Sequence, residues 1–82
     1  MNEALTALDR QQVRADIAAA LDVRPEELAE DTNLLDAGLD SVRLMSLVEK
    51  WRAAGATQID FVTLAAEPVL GLWLDVVTPE VA

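Results

Sequence analysis

The sequence contains no cysteine and no histidine, and these two absences exclude much of the chemistry that a small chain could perform by itself. Without cysteine it has no thiol nucleophile, and no disulfide stabilises its fold. Without histidine it lacks the commonest general base, and without either residue it lacks the usual zinc ligands. We therefore expect neither an enzyme nor a metal site. The absence of disulfides also fits a reducing cytoplasm, where we expect the protein to be located.

Long apolar runs and basic residues are also scarce. No stretch approaches the roughly 20 apolar residues of a membrane-spanning helix, and no basic segment followed by an apolar run begins the chain. Fifteen acidic residues against six basic ones give a formal net charge of -9. This charge disfavours nucleic acids and anionic membranes as ligands and favours basic or neutral proteins as partners.

The length and composition predict one compact domain spanning residues 1–82. Of the 82 residues, 52% are hydrophobic, which is enough for a single small core. Glycine and proline number three each, so a disordered or fibrous chain is not expected. The periodicity of the apolar residues predicts an all-α fold, a bundle of three longer helices and one short one.

The first helix is predicted to begin near a capping box formed by Thr6 and Asp9 and to end at about Leu21. Val13 and Ile17 recur at the four-residue spacing of a buried helix face. The opposite, solvent-facing side is predicted to carry the polar residues Arg10, Arg14 and Asp16.

The connection from Asp22 to Asp40 carries seven acidic residues and one basic residue, Arg24. We expect it to pack across the bundle as an ordered strap, because so long a structureless loop is uncommon in a small domain. Its acidic residues do not follow the alternating spacing of a calcium loop, so a solvated acidic surface is expected. The apolar residues that would anchor the strap are Leu28, Leu34, Leu35 and Leu39.

The second helix is predicted from Ser41 to about Ala54, where Gly55 ends it. Val42 and Met45 lie more than about 90° from the centre of its apolar stripe. Two interpretations remain open for them, a docking patch for a partner or packing against a second neighbouring helix. The stripe that faces the core consists of Leu44, Leu47, Val48 and Trp51.

Two further helices complete the predicted bundle. Asp60 is expected to cap a short helix whose inner side carries Phe61, Leu64 and Ala65. A final helix is predicted from about Pro68 to Val77, with Trp73, like Trp51, in the core.

The junction between the strap and the second helix is the candidate site. Gly38 allows a turn, Asp40 is a good N-cap, and the hydroxyl of Ser41 follows at the positive end of the helix. No histidine exists to activate this serine, and no lysine lies near it in sequence, so a hydrolase is not expected. Ser41 is either a helix-capping residue or a place where a group is attached.

Three groups of residues resemble the aryl carrier domains of nonribosomal peptide synthetases of the siderophore type, which belong to the acyl and peptidyl carrier superfamily. The carriers share a motif of glycine, any residue, aspartate and serine, which stands here at residues 38–41. In chain order the groups are Asp31, Thr32, Asn33, Leu34, Gly38, Leu39, Asp40, Ser41, Val42 and Arg43; then Met45, Leu47, Trp51 and Arg52; then Ile59, Asp60, Phe61, Leu64, Ala65, Pro68 and Trp73.

The resemblance implies a bundle of the acyl-carrier-protein type and a carrier without catalytic activity of its own. A phosphopantetheinyl transferase would attach phosphopantetheine to Ser41, which Asp40 flanks. An adenylation domain, an aryl acid ligase, would load an aromatic acid as a thioester, and a condensation or other downstream domain would accept it. The residues that the resemblance implies for partner docking are Leu39, Val42, Arg43, Met45 and Phe61.

Two alternatives remain at this point. A peptidyl carrier domain would hold an amino acid in place of the aromatic acid. A helical interaction module that carries nothing would use Ser41 only as a cap. Service in fatty-acid synthesis is disfavoured, because those carriers present a strongly acidic second helix, whereas here the cations Arg43, Lys50 and Arg52 outnumber Glu49.

Overall fold

A computed structural model describes residues 8–78 as four α-helices and one short turn of 3-10 helix. The α-helices are α1 (Arg10–Leu21), α2 (Ser41–Ala53), α3 (Phe61–Ala66) and α4 (Leu70–Val77), and the 3-10 turn spans Pro25–Glu27. Within this range there is no strand, only an isolated bridge between Asn33 and Val69. The predicted all-α fold with three longer helices and one short one is confirmed.

Two tryptophans from different helices meet in the core. Trp51 of α2 and Trp73 of α4 pack edge to face, with ring centroids 6.3 Å apart and planes at 80°, a geometry that aromatic pairs favour. The Trp73 indole N–H donates to the carbonyl oxygens of Leu64 and Glu67, each at 3.0 Å, which fastens α4 to the end of α3. The predicted core stripe of α2 is confirmed as buried: Leu44, Leu47, Val48 and Trp51.

Aspartates cap three of the four described α-helices. The side chains of Asp9, Asp40 and Asp60 each accept a hydrogen bond of 2.8 Å from the backbone N–H three residues later. This bond lowers the pKa of Asp60 below its ordinary value. Caps of this kind stabilise a helix by about 1 kcal/mol each. The caps predicted at Asp40 and Asp60 are confirmed, but the role predicted for Asp9 is wrong, because it is itself the N-cap; Thr6 lies outside the described residues.

The connection between α1 and α2 binds the start of α4, as the strap prediction requires. The Leu34 N–H donates to the Pro68 carbonyl at 2.6 Å, and the N–H groups of Leu70 and Gly71 donate to the carbonyls of Thr32 and Glu30. Because these bonds hold Val69 in extended backbone, α4 begins at Leu70 rather than at the predicted position 68. Three of the predicted anchors are buried and one is not, since Leu28, Leu34 and Leu39 lie in the core whereas Leu35 is exposed.

The placement predicted for Asp16 is wrong. The side chain is buried in the contact between α1 and α2, not on the solvent-facing side of α1. Its carboxylate accepts hydrogen bonds from Trp51 Nε1 at 2.9 Å, Lys50 Nζ at 3.0 Å and Gln12 Nε2 at 2.9 Å. Burial acts to raise the pKa of Asp16, but the three hydrogen bonds and the charge of Lys50 outweigh burial and lower it.

The end of α2 is set by one arginine and one glycine. Gly55 has a φ of 119°, in the left-handed region that favours glycine, which confirms it as the terminating residue. One guanidinium nitrogen of Arg52 donates to the carbonyls of Thr57 at 2.8 Å and Ile59 at 2.6 Å. Arg52 therefore holds the connection to α3 against the last turn of α2.

Among the helices of residues 8–78, none combines the length and the apolar character that crossing a bilayer requires.

Candidate attachment site

The turn that precedes α2 points one side chain inward and the next two outward. Gly38 has a φ of 116°, and the N–H of Leu39 then donates to the carbonyl of Leu34 at 3.0 Å. This places the Leu39 side chain in the core, where only 4% of it remains exposed. Asp40 and Ser41 follow on the surface, Asp40 as the N-cap and Ser41 as the first residue of α2.

The Ser41 hydroxyl is exposed and has no structural task. Asp40, not Ser41, satisfies the free backbone N–H of Arg43. Within residues 8–78 the hydroxyl makes no hydrogen bond. The positive end of α2 lies beside it, which favours a negatively charged group such as a phosphate there. The hydroxyl is therefore accessible to a modifying enzyme.

Contacts of two cations identify the two edges of the exposed face of α2. Arg52 reaches the residues just before α3, whereas Lys50 reaches Asp16 on α1. At about 100° per residue, Ser41 lies about 20° from Arg52, on the edge toward α3. Met45 lies on the same edge. The side chain of Arg43 is about 20° from Lys50, on the edge toward α1.

Three of the five residues predicted for docking are exposed. Val42 lies near the middle of the solvent-facing side of α2 with 75% of its side chain exposed, and Met45 is 44% exposed. Arg43 is exposed on the opposite edge. Phe61 is half-buried and packs against the core. Leu39 cannot contact a partner, because it is buried beneath the turn, and its predicted docking role is wrong.

One exposed apolar residue of this region was not expected from the sequence. Val62, in the first turn of α3, has 73% of its side chain exposed. The inner side predicted for this helix is confirmed, because Leu64 is buried and Phe61 and Ala65 pack against the core. A helix of six residues is too short for its periodicity to identify the most exposed position on its outer side. Its neighbour Phe61 was the natural candidate by size, yet Val62 is the residue that the fold leaves to solvent.

Comparison with known protein families identifies the family of this chain and the role of proteins with such a serine. A model described as the phosphopantetheine attachment site matches residues 11–77, which is most of the chain. The chain belongs to the phosphopantetheine attachment site family. It is a carrier domain, and phosphopantetheine is its prosthetic group, as predicted. Carrier domains are generally not catalytic, and those of nonribosomal peptide synthetases work in general with phosphopantetheinyl transferases and with adenylation and condensation domains.

The relatives of this carrier domain are much longer proteins. It is 44% identical over 68 residues to an isochorismatase of Bacillus subtilis, covering 83% of the chain and 22% of that protein. It is 46% identical over 66 residues to the phenyloxazoline synthase MbtB of Mycobacterium tuberculosis, covering 80% of the chain and 5% of the synthase. These relatives, with the one that follows, confirm the predicted resemblance to carriers of siderophore-type synthetases.

A third relative has higher identity over a shorter stretch. The carrier domain is 58% identical over 48 residues to the pyochelin synthetase PchE of Pseudomonas aeruginosa, covering 58% of the chain and 3% of the synthetase. The chain thus spans at most about a fifth of the length of these three relatives. No solved structure matches the chain significantly.

The described residues fit the prosthetic group. Formation of a phosphodiester needs an accessible hydroxyl, and the Ser41 hydroxyl is exposed and makes no hydrogen bond within residues 8–78. A thioester needs a thiol, and the chain has none of its own. Phosphopantetheine supplies that thiol at the end of a flexible arm, and the chain supplies the rigid helix end from which the arm extends.

Proposed function

We propose that this chain is an aryl carrier domain that holds an aromatic acid as a thioester on a phosphopantetheine arm attached to Ser41. The observation that carries the proposal is the exposed hydroxyl of Ser41 at the start of α2, which makes no hydrogen bond within residues 8–78 because Asp40 performs the capping. In the attachment reaction, Ser41 Oγ attacks the pyrophosphate of coenzyme A. The adenosine bisphosphate half leaves, and the serine proton passes to a base of the transferase.

The aromatic nature of the cargo is supported by the sequence resemblance and by a relative's name. A phenyloxazoline carries a phenyl group on its ring, and such a ring forms when an aromatic acyl group is joined to a β-hydroxy amino acid and cyclised. The domain shares 46% identity with the synthase named for this product. We infer that this chain holds the aromatic acyl group that is donated in chemistry of that kind, in nonribosomal peptide or siderophore-like biosynthesis.

The proposal assigns no catalytic residue to the chain. The four α-helices of residues 8–78 share one core, which supports treating residues 1–82 as a single carrier domain. A phosphopantetheinyl transferase attaches the arm, an adenylation domain loads the acid, and a condensation or other downstream domain takes it. Coenzyme A and ATP are supplied in the cytoplasm, which is therefore the proposed location.

Partner docking is assigned to the exposed apolar residues Val42 and Met45, which lie within about one turn of Ser41 on α2, and to the exposed Val62 of α3. We expect Val42→Asp and Met45→Asp each to raise the KM of the loading enzyme for the carrier by about tenfold, because an exposed apolar anchor contributes 1 to 2 kcal/mol or more to an interface. The kinetics of thioester formation measure this effect.

The thermal stability of these two variants separates docking from packing. Since both side chains lie away from the core stripe, circular dichroism should give melting temperatures within about 4 °C of the parent. The exposed Val62→Asp variant extends the test to α3, with Leu72→Asp on α4 as a matched control, because Leu72 is 40% exposed on another helix. A large drop in stability for Val42→Asp or Met45→Asp would show that they are packing residues and would remove them from the docking surface.

The cargo is tested by incubating the full chain with coenzyme A and a broad-specificity transferase, followed by loading with purified adenylation enzymes. Intact mass spectrometry is expected to show one added arm, and peptide mapping should place it on Ser41. An enzyme specific for a hydroxylated benzoate should then add its acid faster than enzymes specific for amino acids.

Two results would contradict the proposal in different ways. Preferential aminoacylation would make the chain a peptidyl carrier and would leave Ser41 as the attachment point. A chain that gains no arm would be a helical interaction module in which Ser41 serves only the start of α2.

A further inference from the structure

Most of the basic side chains of this acidic protein form ion pairs or hydrogen bonds with other residues of the same chain. All six lysine and arginine residues lie within the described range, and five of them bind partners there. The pairs are Arg10 with Asp75 and Glu30, Arg14 with Glu30 and the Leu28 carbonyl, Arg24 with Glu26 and Glu27, Lys50 with Asp16, and Arg52 with the carbonyls of Thr57 and Ile59.

Arg43 differs from the other five cations. Its backbone N–H donates to the Asp40 carboxylate at 2.8 Å, but its guanidinium makes no hydrogen bond or ion pair with any residue in the range 8–78. It is exposed, two residues from Ser41 and next to Val42, the most exposed large apolar residue in that range. Of the three basic residues of α2, Arg43 is therefore the one whose charge has no partner within residues 8–78.

The position of Arg43 on the helix disfavours a role toward the arm itself. Residues two apart are rotated by about 200° around the helix axis, so their side chains lie on nearly opposite sides of the helix. The guanidinium of Arg43 therefore extends from the edge near α1, whereas the Ser41 hydroxyl lies on the edge near α3. A phosphate on Ser41 would thus lie on the other side of α2. No group within residues 8–78 meets the guanidinium of Arg43, which leaves it available to a partner protein.

We propose that Arg43 pairs with a carboxylate on the adenylating enzyme that loads the aromatic acid, and so acts as a specificity determinant of that encounter. The inference rests on the proposed function. A carrier with a net charge of -9 attracts basic surfaces in general, and a partner that is basic throughout would be repelled at this one position. A single positive charge on this acidic carrier, close to the attachment point, selects a partner that presents a carboxylate at that position.

The loading enzyme suits this role better than the transferase does. A transferase must bind coenzyme A, whose phosphates require a cationic surface close to the serine that is being modified. A guanidinium contributes nothing favourable to that encounter. Attachment of the arm and loading of the acid are accordingly expected to respond differently to removal of the Arg43 charge.

The experiment compares charge variants of the full chain after the arm has been attached. The probe is a purified salicylate-adenylating enzyme with ATP and salicylate, and the readout is its KM and kcat for the carrier. We expect Arg43→Glu to raise the KM about tenfold with kcat at saturating carrier unchanged, and Arg43→Lys to stay within about threefold of the parent. The rate of arm attachment by the transferase should not fall in Arg43→Glu.

The matched control is Arg24→Glu, which makes the same charge change at an exposed arginine outside α2 whose partners are the adjacent Glu26 and Glu27. It should leave the KM near that of the parent. Single replacements of carboxylates by lysine on the loading enzyme should include one that restores the KM of Arg43→Glu, which identifies the paired acid.

Two results would overturn this inference while leaving the proposed function intact. One is equal KM values for Arg43→Glu and Arg24→Glu on an enzyme that loads the parent carrier. The other is a parallel loss of arm attachment and loading in Arg43→Glu, which would assign the arginine to the arm. Failure of the parent carrier to accept any aromatic acid would instead contradict the proposed function.

Discussion

Replacing Ser41 with alanine is expected to abolish attachment of phosphopantetheine and all thioester loading while the fold stays intact. The hydroxyl is the proposed nucleophile, so its removal leaves no hydroxyl at the helix start to form the phosphodiester. The cap of α2 depends on Asp40, whose carboxylate binds the backbone N–H of Arg43, and alanine is a good helix former at the first position. We expect the free energy of unfolding to change by no more than about 0.5 kcal/mol.

Two further variants separate the attachment role of Ser41 from a structural one. Ser46→Ala removes another exposed hydroxyl of α2 and should be modified as the parent is. Asp40→Ala removes the cap and should cost about 0.5 to 2 kcal/mol of stability while leaving the hydroxyl in place. Intact mass spectrometry and thermal melts measure both effects. An arm found on Ser41→Ala protein, or a strongly destabilised Ser41→Ala variant, would refute the assignment.

The elements of the fold that follow local rules were predictable from the sequence. The four buried residues of α2 recur at helical spacing, and the caps at Asp40 and Asp60 depend only on the three residues that follow each of them. The candidate serine was predictable for the same reason, since a turn, a cap and a hydroxyl lie within four positions at residues 38–41. Periodicity also indicated that Val42 and Met45 lie outside the core.

Features that depend on partners distant in the chain were missed. Leu39 was predicted to dock because it lies beside Ser41, but the turn at Gly38 and the hydrogen bond to Leu34 place it in the core. The start of α4 is displaced by bonds to the strap, which lies more than 30 residues earlier. Arg43 and Lys50 are both basic residues of α2, and the sequence does not distinguish them. Only the ion pair between Lys50 and Asp16, seen in the structure, shows that Lys50 stabilises the fold whereas Arg43 is available to a partner.

Asp16 is the clearest example of such a long-range effect. On α1 its polar side chain indicates a surface position, yet its hydrogen-bond partners Lys50 and Trp51 lie 34 and 35 residues away. An aspartate among apolar neighbours is stable when charged only if donors surround it, and here three converge on it. The carboxylate thus orients α1 against the helix that presents Ser41.

Replacing Asp16 with asparagine is expected to destabilise the domain by about 1.5 to 3 kcal/mol at pH 7, the range for hydrogen bonds to a charged group. An amide has one acceptor oxygen, so its NH₂ group must face either Trp51 Nε1 or the two donors Lys50 and Gln12. Urea unfolding followed by tryptophan fluorescence measures the loss. The control is Asp75→Asn, because the Asp75 carboxylate pairs with Arg10 on the surface, and its loss should cost under about 1 kcal/mol.

The pH dependence of this difference tests the electrostatic cause. Because the pKa of folded Asp16 lies below its ordinary value of 3.8, the stabilisation by its charge is fully present above pH 4 and is lost as the pH falls through the folded pKa. The stability gap between the parent and Asp16→Asn should therefore be constant from pH 5 to 8 and should shrink below about pH 4. Repulsion among the other carboxylates also relaxes in acid, but it is common to both proteins and cancels in the gap. A gap that persists unchanged to pH 2.5 would show that side-chain shape, and not the carboxylate charge, holds α1 against α2.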